Sequence, residues 1–94
     1  MHYVYLLVEA ETRRIYIGYT SNLRQRIADH KAGKGCKTTG NGNWELVYYE
    51  AFFSKMDAME RERKLKHHGS AKRKLFERLS RTLAGQNRAG EADN

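Results

Sequence analysis

From Tyr3 to Val8 the chain reads Tyr-Val-Tyr-Leu-Leu-Val, with no charged residue and no backbone breaker. A short, continuous apolar and aromatic run of this kind is the pattern of a central strand covered on both faces. It is far too short to span a bilayer, and no basic flank precedes it, so it predicts neither a membrane helix nor a signal peptide. A chain of 94 residues makes one small domain and buries only about 60 to 65% of its unfolded surface. Core positions are few, and an ionisable group on a core face is costly unless it has a partner.

The elements that can cover this strand follow in order. Glu9 to Arg14 is polar and turns the chain, and Ile15 to Tyr19 reads as a second strand, so the two form an antiparallel hairpin. Gly18 allows close backbone approach, and Ser21 or Asn22 can cap a helix over Asn22 to Ala32. On that helix Leu23, Arg26, Ile27 and His30 share the face that docks on the sheet. Gly33 to Asn43 reads as an exposed loop with a turn near Asn41-Gly42; Trp44 then anchors a third strand over Glu45 to Phe53. Ser54 followed by Asp57 opens a helix from Lys55 to Lys66. Its Ala58, Met59 and Leu65 surround Glu62, while Glu60 points away. Past a break at Gly69-Ser70, Ala71, Leu75, Leu79 and Leu83 stripe one last helix with Phe76 beside them. The expected fold is α+β, a three-stranded antiparallel sheet flanked by three helices in the order ββαβαα, over residues 1–84. Residues 85–94 lack apolar periodicity and read as a flexible tail.

The single cysteine, Cys36, excludes an internal disulfide and reads as a free thiol, and no Cys/His set has zinc spacing. These features point to a cytoplasmic protein. Its formal net charge of +7 favours a polyanionic partner, nucleic acid first, although membrane surfaces and acidic proteins meet the same electrostatics. Lys31, Lys34, Lys37, Arg63, Lys66, Lys72 and Arg73 can together form a phosphate-tracking surface, which gives affinity without sequence readout. Arg61, Lys64 and Lys74 fall in the same basic runs. The adjacent His67 and His68 suit a helix C-terminus or solvent better than a metal.

Against this background a polar series stands out: Tyr5 and Tyr16 on the two hairpin strands, Arg26 and His30 on the following helix, and Glu62 on the next one. Taken singly, each has a structural explanation. Tyrosine favours strands, an arginine can snorkel, and a core histidine can be satisfied internally. Glu62 needs either an ion pair, for instance with Arg26, or a metal. Their convergence on one sheet is what a reaction centre requires.

Val4-Tyr5-Leu6, Tyr16-Ile17-Gly18, Thr20-Ser21-Asn22-Leu23 through Arg26 and His30, Tyr48-Tyr49-Glu50, and Ala58 with Arg61-Glu62 through Leu65-Lys66 resemble the GIY-YIG nuclease superfamily. The likeness is strongest to its small single-domain bacterial, UPF0213-like members and covers roughly residues 3 to 80. It implies a metal-dependent endonuclease that hydrolyses DNA, leaving a 5′-phosphate and a 3′-hydroxyl. It also implies that Tyr5 and Tyr16 line the water side of the phosphate, that Arg26 binds the phosphate, and that Glu62 holds Mg²⁺ or Mn²⁺. His30 matches a histidine found in part of the superfamily. The first motif lacks its name-giving glycine, and no role is carried to Asn87 from the late asparagine of other members. Either Tyr5 or Tyr16 can serve as general base with His30 assisting. The expected substrate is single-stranded or branched DNA, with specificity supplied by this one domain, a homodimer or a partner protein. The competing reading is a non-catalytic nucleic-acid-binding module on the same fold, and the two part at Glu62.

Overall fold

The structure, a computed structural model, describes residues 1–34 and 42–84. Cys36, Lys37, Asn41 and the tail from residue 85, Asn87 included, lie outside the described residues. The elements are β1 (His2–Glu9), β2 (Ile15–Thr20), α1 (Leu23–Lys31), β3 (Trp44–Phe52), α2 (Lys55–His67), α3 (Gly69–Arg78) and α4 (Ser80–Ala84). The sheet order is β2-β1-β3 with both pairings antiparallel. β1 is thus the central strand, and its residues Val4 to Glu9 are all buried, as the opening apolar run predicts.

Side chains alternate along β1 and split the core in two. Val4 and Leu6, with Ile17, pack against Ala58 and Leu65 of α2 and Leu75 of α3. Tyr5 and Leu7 point the other way, against Trp44, with Leu23 and Ile27 of α1 packed on them. The sheet is therefore covered by α1 on one face and by α2 and α3 on the other. This α+β arrangement matches the one expected from the sequence.

Two local devices shape the sheet. At the hairpin turn the Glu9 carboxylate accepts hydrogen bonds from the backbone N–H groups of Glu11 (2.8 Å) and Thr12 (2.7 Å), and from that of Asn43 just before β3 (3.0 Å). These donors, Thr12 and Asn43 foremost, hold its pKa below the usual carboxylate value. The second device is a bulge. Leu6 pairs with Tyr48 but Leu7 pairs with Leu46, so Val47 is an extra residue in β3. Past it the alternation is offset by one, which turns Leu46 and Trp44 onto the α1 face.

The last helix differs from the sequence expectation. The chain breaks at His68, and Gly69 and Ser70 already belong to α3. The stripe of Ala71, Leu75, Leu79 and Leu83 expected on one helix is split at Leu79 between α3 and α4. Ser80 follows the break, and serine competes for backbone hydrogen bonds. The Leu83 carbonyl, one of those left over at a helix end, accepts from Arg13 Nη2 at 2.5 Å. Among the described residues no helix is long and apolar enough to cross a membrane.

Candidate active site

The site begins with a missing side chain. Tyr5 pairs across the hairpin with Gly18, and Leu7 pairs with Tyr16, so both tyrosines rise from the α1 face of adjoining strands. A Cβ on Gly18 would meet Cζ and the hydroxyl of Tyr5 at 2.5 Å and Cε2 of Tyr16 at 2.9 Å. The Tyr5 ring therefore crosses β2 through space that only glycine leaves open. Its centroid lies 6.2 Å from that of Tyr16.

α1 closes over the pair. Asn22 caps the helix by accepting from the Gln25 N–H at 3.1 Å, as the capping residues predict. Further along the same helix, His30 is 1% exposed, like Tyr5. Its Nε2 is 3.1 Å from the Tyr5 hydroxyl, and its ring centroid is 5.3 Å from that of Tyr16. Burial lowers the His30 pKa, the nearby Arg26 guanidinium lowers it further, and Asp29 opposes them. Arg26 is half-buried one turn before His30, on the docking side of α1.

Glu62 approaches from the other layer. Its carboxylate pairs with Lys66 Nζ, one turn along α2, at 3.2 Å. That same Nζ lies 6.0 Å from the centroid of the Tyr16 ring. Lys66 thus links Glu62 to the tyrosine cluster, and the ion pair considered for Glu62 is made by Lys66 and not by Arg26. The apolar setting expected around Glu62 is also reduced: Ala58 and Leu65 are buried, but Met59 is exposed.

No group of three or more His, Cys, Asp or Glu able to hold a metal is present among the described residues. Glu62 offers one carboxylate, and 22% of its side chain is exposed. This suits a hard cation that keeps several waters and takes one or two protein oxygens besides a substrate phosphate. Lys66 already balances the carboxylate at this spot, so an arriving cation would compete with an ammonium.

Three features escape a reading of the sequence. Trp44 touches Tyr16 edge-on, with centroids 6.4 Å apart, because of the bulge, and a strict alternation along β3 hides it. Lys66 is exposed with the other basic residues and also reaches Glu62 and the Tyr16 ring. Arg61, which falls in a basic run of the sequence, is bound to Glu50 through Nε (3.0 Å) and Nη2 (3.0 Å), while the Tyr48 hydroxyl donates to the same carboxylate at 2.8 Å. The available signal for that knot was Tyr48 and Glu50 two apart on one strand face. Lys31, Lys34, Arg63, Lys72 and Arg73 are all exposed. His67 and His68 are exposed too, and Arg63 Nη1 lies 3.5 Å from His68 Nε2.

Comparison with known proteins identifies the family and the fold. A model of the GIY-YIG catalytic domain matches residues 1–75. A UPF0213 protein of Natronomonas pharaonis is 47% identical over 73 residues, 77% of this chain and 85% of that protein. One from Oceanobacillus iheyensis is 42% identical over 66 residues, 69% of this chain and 76% of that protein. The solution NMR structure of a UPF0213 protein from Bacillus halodurans superimposes with a TM-score of 0.51 at 42% identity, covering 83% of each chain.

Proposed function

Because the chain belongs to the GIY-YIG catalytic domain family, whose function is of the nuclease type, we propose that it is a divalent-metal-dependent endonuclease that hydrolyses DNA. The observation that carries this reading is the packing of Tyr5, Tyr16 and His30 into one cluster, with the Tyr5 hydroxyl 3.1 Å from His30 Nε2. An imidazole whose pKa is lowered stays neutral at neutral pH and can accept a proton. Tyr5 donates its hydroxyl proton to Nε2, and its oxygen takes a proton in turn from the attacking water. Tyr16, half-buried beside it, lines the same side of the phosphate. Arg26 neutralises charge that builds on the phosphate oxygens, which a planar pair of donors does well. Glu62 holds Mg²⁺ or Mn²⁺, which when bound supplies Lewis-acid stabilisation of the leaving oxygen. The substrate is single-stranded or branched DNA in the cytoplasm, and a second copy or a partner protein narrows its choice of site.

The test separates chemistry from binding. Glu62→Gln keeps the shape and removes the anionic ligand, so cleavage in Mg²⁺ or Mn²⁺ is expected to disappear while oligonucleotide binding in EDTA is retained. Cleavage by Glu62→Gln at the wild-type rate would refute the mechanism. A wild-type protein that binds DNA but cuts no single-stranded, duplex or branched DNA or RNA would instead be a binding module.

A further inference from the structure

Beside the tyrosine cluster, on the same face of the sheet, lies an open cleft of about 500 Å³. Its floor is aromatic. Tyr3 and Tyr49 meet edge to face with centroids 6.0 Å apart, and Tyr49 is 52% exposed. Leu23, Ile27 and Leu46 line the cleft, and these same side chains pack against Tyr5 and its neighbours. Tyr49 is also the direct cross-strand partner of Tyr5, and Tyr3 precedes Tyr5 by one full pleat on the same face. The cleft and the cluster thus share a wall. Arg24 stands at the cleft, and among the described residues none that lines it is acidic.

An exposed tyrosine platform with a cation at its rim suits a flat π-system attached to a phosphate. A base inside a duplex is stacked on both faces and cannot offer one to a protein ring, whereas an unpaired base can. The geometry points to a subsite in which an unpaired nucleobase adjoining the scissile phosphate stacks on Tyr49, with Tyr3 bracing that ring and Arg24 meeting the flanking phosphate. The inference deepens the nuclease reading and rests on it for the nature of the ligand. It replaces an unspecified preference for single-stranded or branched DNA with a physical requirement for one unstacked base beside the cut.

The test is a titration in EDTA of short oligonucleotides carrying one 2-aminopurine, as single strands of deoxyribose and of ribose and as the deoxy duplex. Wild type, Tyr49→Ala and Tyr49→Phe are compared, with circular dichroism confirming that each is folded. One lost stacking contact predicts a Kd for the single strand weakened by about 5- to 150-fold in Tyr49→Ala. The 2-aminopurine quenching is lost with it, duplex binding is unchanged, and Tyr49→Phe behaves like wild type. A loss on either single strand supports the subsite and names the strand it serves. Undiminished single-strand binding by Tyr49→Ala, or equal losses on single strand and duplex, would overturn it. Cleavage in Mn²⁺ is scored separately. A wild type that shows the Tyr49-dependent preference but never cuts keeps the subsite and loses the nuclease reading. One that cuts although Tyr49→Ala binds normally does the reverse.

Discussion

His30 is kept neutral by two effects that act in the same direction, its burial and the Arg26 guanidinium beside it. Its folded pKa lies below the ordinary 6.5, so near that pH the unfolded chain takes up a proton that the folded chain refuses. The stabilisation is fully present above pH 6.5 and is lost as pH falls through the folded pKa. Melting temperatures across this window are expected to drop on acidification in wild type and to stay flatter in His30→Gln. Glu9 has the same sign, with its window below the ordinary 4.5, so its contribution begins to be lost at a lower pH than that of His30. Cleavage should follow His30 as well, holding below pH 6.5 and then falling once the imidazole charges. The identities of these groups could be read from residue type and helical spacing alone, since Arg26 and His30 sit one turn apart on the apolar side of α1. The partner of Glu62 could not. Arg26 and Lys66 both suit a carboxylate, and only the rotation of α2 about its axis selects the lysine.

Buried Ala58 and Leu65 turn α2 toward the sheet, and a contact between α2 and β3 adds to them. Arg61 grips Glu50 with two nitrogens at 3.0 Å, and Tyr48 donates to the same carboxylate. Both ion-pair partners are mostly shielded from solvent, so removing one leaves the other without compensation. Glu50→Ala is expected to cost about 1 to 3 kcal/mol, read from urea denaturation. It should also lower the cleavage rate, because Glu62 follows Arg61 directly on the same helix. Exchanging Glu50 and Arg61 together for methionine should recover part of the stability without restoring the rate. The order of the three strands and of the helices α1 to α3 could be read from the sequence, because the apolar run of β1 is continuous, Asn22 and Ser54 mark the starts of α1 and α2, and α3 carries an apolar stripe. The offset at Val47 was not, since a bulge leaves composition unchanged and alters only which neighbours share a face. Trp44 accordingly looked like a strand anchor, and its contact with Tyr16 emerges only after the register slips.

The formal charge of +7 acts through the whole surface, with Lys31, Lys34, Arg63, Lys72 and Arg73 exposed around the two helical layers. Binding to single strands should weaken linearly in log salt, and each phosphate contact removed should reduce the slope by about 0.7. A Lys72→Ala/Arg73→Ala pair measured over a salt series tests this; an unchanged slope would remove α3 from the binding surface. Order in time follows from the position of β1. The most interior strand is the first one in the sequence, and its partner β2 and the covering helix α1 are its nearest neighbours along the chain, whereas β3 and α2 close much longer loops. Short loops close at lower entropic cost. During synthesis Tyr5, Tyr16 and His30 are therefore expected to meet before α2 is complete, so the tyrosine–histidine half of the cluster precedes the arrival of Glu62. Under the proposed mechanism a nascent or truncated chain ending before Glu62 holds a formed but inert centre, and cutting begins only when the second layer docks.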